Sequence, residues 1–150
     1  MEENLRLFFE EIKNVNNDEK LNDPQNEQVL KLAFVGDTIF DLFTRDYLNR
    51  KYADKIKINE LHKKNTELVC AKSQSKIIDF LIDNYLTNDE IEFFKRARNA
   101  HSSSKSKNSS IVEYRKATGF EALLGLLLYK DEKRLIELLN EIAVSYLKNI

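Results

Sequence analysis

Asp37 and Glu121 sit where an ionised carboxyl group is costly. Asp37 lies in LAFVGDTIFDLF, residues 32–43, with Phe34, Val35, Ile39 and Phe40 close by in sequence, and Glu121 lies in GFEALLG, residues 119–125. Burying such a charge without a partner or a metal is unfavourable. The chain holds only three glycines, Gly36, Gly119 and Gly125, and all of them fall in these segments. A glycine inside a helix costs roughly 1 kcal/mol relative to alanine, a cost that is offset where a second backbone must come close. Two helices crossing at their glycines would bring Asp37 and Glu121 together. Two carboxylates in an apolar setting repel unless one is protonated or a cation lies between them. A hard divalent ion such as Mg²⁺, bound through carboxylates and water, is an economical solution. The bland alternative is that each acid is a buried cap, or the ion-pair partner of Arg45, Arg115 or Lys116.

The elements that must position these residues are helical throughout. Leu5, Phe8, Phe9 and Ile12 mark a short amphipathic helix by their three-and-four spacing. Asp23 followed by Pro24 is a helix start, an N-cap and then proline at the first helical position, and this helix is predicted to run to about Arg50. Residues 58–86 read as one or two helices, with Leu61, Leu68 and Val69 on one face and Ile77, Ile78, Leu81 and Tyr85 on another. Thr87 and Glu90 form a capping box for the next helix. A serine-rich polar stretch, HSSSKSKNSS, spans residues 101–110. The apolar helix carrying Glu121 follows, and a helix with Leu135, Leu138, Leu139, Ile142 and Tyr146 closes the chain. No strand pairing, internal repeat or second domain is visible.

The 150 residues, 42% hydrophobic and 33% charged, suit one soluble globular domain. No segment reaches the ~18 uninterrupted apolar residues of a membrane span, and the acidic start does not resemble a signal peptide. The single cysteine, Cys70, permits no internal disulfide, which fits a reducing cytoplasm. It is expected to pack as a small hydrophobe. His62 and His101 lack metal-ligand spacing. The net charge of −1 does not by itself suggest nucleic acid, yet charge is unevenly spread. Residues 1–27 hold eight acids against three bases, whereas residues 95–116 hold seven bases against one acid, Glu113. That basic stretch is either a flexible connector or a grip for an anionic ligand.

These motifs also resemble a known family. LAFVGDTIFDLF is similar to the signature helix of the ribonuclease III catalytic domain, and FEALLGLLLY to its second acidic helix. LHKKNTELVCAKSQSKII and KRARNAHSSSKSKN, in the same order, resemble the Mini-III branch of short bacterial relatives. The resemblance runs from about Asn26 to the C-terminus. It implies an all-α, helical-bundle, dimeric domain over residues 24–150, with residues 1–23 as an N-terminal extension. It also implies a Mg²⁺-dependent endonuclease acting on double-stranded RNA, with the precursor of 23S ribosomal RNA as substrate; whether a ribosomal protein presents that RNA is left open.

On that resemblance, Asp37 and Glu121 are the catalytic, metal-holding residues. Two further acids of the family are absent: Ala33 stands four residues before Asp37, and Thr118 three before Glu121. Mini-III proteins share both departures. Thr118 could assist, and Asp41, one helical turn from Asp37, could back the metal's ligands or be a salt-bridged surface acid. The double-stranded RNA-binding domain of longer relatives is not expected here, so RNA contact is expected from the catalytic domain itself. A-form RNA is held through phosphates and 2′-hydroxyls. Suitable residues are Lys95, Arg96, Arg98, Asn99, Ser102, Ser103, Lys105, Lys107 and Asn108, extended by Lys63, Lys64, Lys72 and Gln74. The rival reading is a non-catalytic RNA-binding protein on the same fold, and a third is an all-α protein-interaction domain.

Overall fold

The computed structural model describes residues 26–100 and 110–149. The expected amphipathic helix near the N-terminus, the Asp23–Pro24 helix start, and His101, Ser102, Ser103, Lys105, Lys107 and Asn108 lie outside the described residues. Six α-helices follow in order: α1 Asn26–Tyr52, α2 Ile58–Val69, α3 Ala71–Asn84, α4 Asn88–Arg98, α5 Ile111–Lys130 and α6 Glu132–Glu141. A π-helical turn, Ile142–Tyr146, and a 3₁₀ turn, Leu147–Asn149, end the chain. No strand occurs among the described residues, and none of their helices is long and apolar enough to cross a membrane.

The central helix is α5. It is apolar nearly all round, and Ala117, Gly119, Phe120, Ala122, Leu123, Leu124, Gly125, Leu127 and Leu128 are buried along it. A helix of that kind must be covered on all sides, and α1, α3 and α4 surround it. From α1 the buried stripe is Val29, Leu32, Ala33, Gly36, Phe40, Thr44 and Leu48. Phe40 meets Phe120 edge to face, with ring centroids 5.1 Å apart. Ile77, Ile78 and Leu81 of α3, and Phe93, Phe94 and Ala97 of α4, fill the remaining sides.

Local chemistry sets the ends. The Thr87–Glu90 capping box starts α4, and an equivalent box, Ser110 with Glu113, starts α5. Residues 58–86 are two helices, broken at Cys70, whose backbone is extended (φ −66°, ψ 157°). Cys70 is exposed there, not packed as expected, because it occupies a corner between α2 and α3. Arg134 fastens α6 to the bundle: it donates to both Glu90 carboxyl oxygens at 3.0 and 2.9 Å and to the Tyr85 carbonyl at 2.7 Å.

Candidate active site

The crossing of α1 and α5 is built from glycine. A Cβ on Gly36 would run into the backbone carbonyl of Glu121, and a Cβ on Gly125 would run into the carbonyl of Leu32. Each helix thus contributes a gap for the other's backbone, at positions four residues apart on both. Asp37 follows Gly36 directly, so the crossing that admits Glu121's main chain also draws the two carboxyl groups together. Gly119 serves a different contact: its missing side chain leaves room for the ring of Phe94, whose edge would lie 2.7 Å from a Cβ.

The two acids differ in setting. Asp37 is exposed on one side, and Glu121 is half-buried. Burial pushes the Glu121 carboxyl up to about 8, the neighbouring Asp37 charge adds to this, and a hydrogen bond from the Gln74 amide opposes it. The Asp37 carboxyl is also raised, by partial burial first and then by Asp41. Both shifts have the same two causes, burial first and a neighbouring carboxylate second.

Two of the candidate cations, Arg45 and Lys116, are engaged elsewhere. Arg45 Nε donates to Asp41 Oδ2 at 2.8 Å. Lys116 Nζ donates to both carboxyl oxygens of Asp79 at 2.9 and 3.0 Å, tying α5 to α3. Among the described residues no Lys, Arg or His forms an ion pair with Asp37 or Glu121. The ion-pair alternative therefore fails for Arg45 and Lys116.

Asp41 lies on Asp37's side of α1 and is held at both oxygens. Asn65 Nδ2 donates to its Oδ1 at 2.7 Å, while Arg45 takes the other. Buried Thr44 donates to Asn65 Oδ1 at 2.6 Å, so α2 is pinned to α1 one helical turn beyond Asp37. This Thr44–Asn65–Asp41 chain was not anticipated from sequence; an asparagine in a helix otherwise patterned for solvent was its only signal. Ala33, at the position of a missing family acid, is buried. Thr118 donates its hydroxyl hydrogen to the Tyr114 carbonyl at 3.1 Å, leaving only its oxygen lone pairs for other use.

The expected RNA contacts fall into separate groups. Lys63 and Lys72 are exposed. Lys64 lies with its ammonium 4.9 Å from the Tyr52 ring centre. Lys51, Lys64, Lys72 and Lys76 line a cleft of about 300 Å³ with Tyr47 and Tyr52. At the end of α4, Arg96 and Asn99 are exposed. Arg98 lies 5.8 Å from the Phe94 ring centre, and Phe94 is the ring packed on Gly119. Arg98 Nε also donates to Asn99 Oδ1 at 3.3 Å. Gln74 is a correction. Expected on the RNA-facing surface, it is 1% exposed, because Nε2 turns inward to donate to the Val69 carbonyl at 2.9 Å and the amide reaches Glu121.

Comparison with known proteins gives this arrangement its class. The family model described as the ribonuclease III domain matches residues 30–132, a span that includes both acids and the glycine crossing. Mini-ribonuclease 3 of Clostridium tetani is 42% identical over 118 residues, 78% of this chain and 77% of that protein. Mini-ribonuclease 3 of Staphylococcus aureus is 41% identical over 115 residues, covering 75% and 84% of the two chains. An X-ray structure of a Fusobacterium nucleatum protein superposes with a TM-score of 0.66 at 29% identity, covering 83% of this chain and 96% of that one. The fold is that of a ribonuclease III-type endoribonuclease domain. Within that class, the chain belongs to the Mini-ribonuclease 3 family.

Proposed function

We propose that this protein is a Mg²⁺-dependent endoribonuclease that cleaves double-stranded RNA, working as a homodimer in the cytoplasm, with the precursor of 23S ribosomal RNA as its substrate. The observation that carries the reading is the pair Asp37 and Glu121, gathered at a glycine crossing and, among the described residues, left without a protein cation. The donor set fits the ion. Mg²⁺ is bound through one or two carboxylates while keeping several waters, and here one carboxyl group is half-buried while the other opens to solvent. Among the described residues no third His, Cys, Asp or Glu joins them. When bound, Mg²⁺ supplies Lewis-acid assistance to hydrolysis and offsets charge at the scissile phosphate.

The chain's own residues do the remaining work. Asp37 and Glu121 hold the ion, and Asp41, clamped by Asn65 and Arg45, fixes the turn of α1 behind Asp37. Arg98 and the lysines of the cleft bind phosphates across the duplex. Residues 24–150 form the catalytic domain, and residues 1–23 an extension. Dimerisation is supported by α1's outer face. Phe34 and Leu42 are 79% and 56% exposed, and only Phe40 of the set Ile39, Phe40 and Phe43 is fully buried within one chain.

The test is purified protein incubated with double-stranded and single-stranded RNA, with and without Mg²⁺. Mg²⁺-dependent cutting of the duplex alone, leaving 5′-phosphate and 3′-hydroxyl ends, is expected. Duplex binding with no cleavage at any Mg²⁺ concentration contradicts the reading and favours a non-catalytic RNA-binding protein.

A further inference from the structure

A cleft of about 300 Å³ opens where the C-terminal end of α1 meets α2 and the start of α3. Four lysines line it, Lys51, Lys64, Lys72 and Lys76, and among the described residues lining it the only acid is Glu67. Among the described residues none of these lysines forms an ion pair. Like charges gathered in a concave wall raise the local concentration of an anion. The cleft is also aromatic, with Tyr47, Tyr52 and Tyr146. Two of these rings already have ring partners: Tyr47 stacks on Phe43 with centroids 6.5 Å apart, and Tyr146 packs on Phe80 at 5.5 Å. Tyr52 is half-buried, and among the described residues no aromatic ring packs on it. What lies over its ring are the ammonium groups of Lys64 and Lys51, 4.9 and 5.5 Å from the centre.

That combination suits RNA whose bases are not paired. In an A-form duplex the bases stack on one another, and a protein meets phosphates and 2′-hydroxyls across a shallow groove. A tyrosine face has nothing there to stack on. An unpaired base exposes its face, and lysines that hold the flanking phosphates bring it against an aromatic ring. The cleft's size agrees: it lies at the lower end of small-ligand sites, roughly 300–1,000 Å³, with room for a nucleotide but not for a double helix. An ammonium over an exposed ring is weakly held, so Lys64 and Lys51 can leave Tyr52 for a phosphate as a base arrives. We infer that this cleft binds an unpaired nucleotide continuous with the RNA duplex, its base stacked on Tyr52 and its flanking phosphates held by the four lysines. This rests on the reading of the cleft as part of the RNA path, and it makes the preferred substrate a duplex with a single-stranded flank.

The test compares two RNAs that share one duplex. One carries a short oligouridine tail and the other a tail of equal length without bases, so phosphates are matched and only stacking differs. Tails on the 3′ and on the 5′ ends are tried in turn. Affinities come from anisotropy titrations with the full chain in EDTA, which withholds the divalent cation. In at least one polarity the wild type is expected to bind the uridine-tailed RNA about 10-fold more tightly. Tyr52→Leu is expected to remove that difference, and Tyr52→Phe, which keeps the ring, to retain it. Replacing Lys64 and Lys72 with alanine together should weaken binding of both RNAs. Equal wild-type affinity for the two RNAs in both polarities overturns the inference and needs no variant to fold; an undiminished difference in Tyr52→Leu overturns it as well. A gain for both RNAs alike in Tyr52→Leu would mark release of the chain's own acidic N-terminal segment from the cleft, and also overturns it. If neither RNA binds, or the double lysine variant binds both as the wild type does, the cleft lies off the RNA path and the inference falls with that reading.

Discussion

Glu121 carries the most perturbed charge among the described residues, and its environment makes stability depend on pH. Its carboxyl titrates at about 8 in the folded protein against an ordinary value of 4.5. The folded state therefore keeps a proton that the unfolded chain has released. The corresponding stabilisation is complete below pH 4.5 and is lost as pH rises toward about 8. Cation-free protein is expected to lose up to about 1.4 kcal/mol of stability per pH unit across that window. Asp37, raised as well, contributes in the same direction. Glu121→Gln is expected to remove most of this dependence in urea titrations between pH 5 and 8; an equally steep slope in the variant would place the responsible group elsewhere. At the rim, Arg98 is ordered by Phe94, whereas Lys63 is simply exposed. A guanidinium can also grip a phosphate with two hydrogen bonds. Arg98→Ala is therefore expected to weaken duplex RNA binding more than Lys63→Ala, in a filter-binding or anisotropy titration at fixed salt.

Helices α1 and α5 determine whether the acids meet at all. Gly36→Ala puts a methyl group into the Glu121 carbonyl, against backbone that cannot rotate away. The cost is expected to be roughly 1–3 kcal/mol or more, with RNA cleavage falling further than stability does because the carboxyl groups separate. Thermal unfolding and a cleavage assay on the same preparation check this, and a fully active, fully stable Gly36→Ala protein would refute the crossing. The end of α1 offers a gain instead. Ala53 sits in the left-handed region at φ 46°, with its N–H on the Asn49 carbonyl. Glycine is free of strain there, so Ala53→Gly is expected to stabilise by about 1 kcal/mol. Much at this scale was legible in the sequence. Hydrophobic spacing marked the helices, the Thr87 capping box was readable, and glycines set in apolar helices pointed to the close crossing. The corner at Cys70 was not, because it depends on a side chain from the following helix, Gln74, reaching back to Val69. Gln74 itself reads as an ordinary polar residue in a lysine-rich run, and only packing turns it inward. The Asp41–Asn65–Thr44 chain is equally silent in sequence, since its members are 21 and 24 residues apart.

At the scale of the molecule, an acidic chain must hold an anionic polymer. Net charge is −1, so RNA binding has to come from local patches, the α4 end and the lysine-lined cleft, and it should be sensitive to salt. Replacing Lys64 and Lys72 with alanine together is expected to flatten the dependence of log affinity on log salt by up to roughly two units. Catalysis at saturating RNA should be unaffected; an unchanged salt slope would remove the cleft from the RNA path. Phe34 and Leu42, exposed on α1, make a second copy of the chain the natural cover for that face. Sedimentation at micromolar concentration is expected to give a dimer. The central claim is that Asp37 and Glu121 together form the centre that cuts RNA. Cleavage of saturating duplex RNA in Mg²⁺ by Asp37→Asn and by Glu121→Gln tests it most directly, since each change keeps shape and removes charge. Loss of cutting in both variants, with wild-type helix content and RNA affinity, is the expected result; near-wild-type cleavage by either would contradict the account.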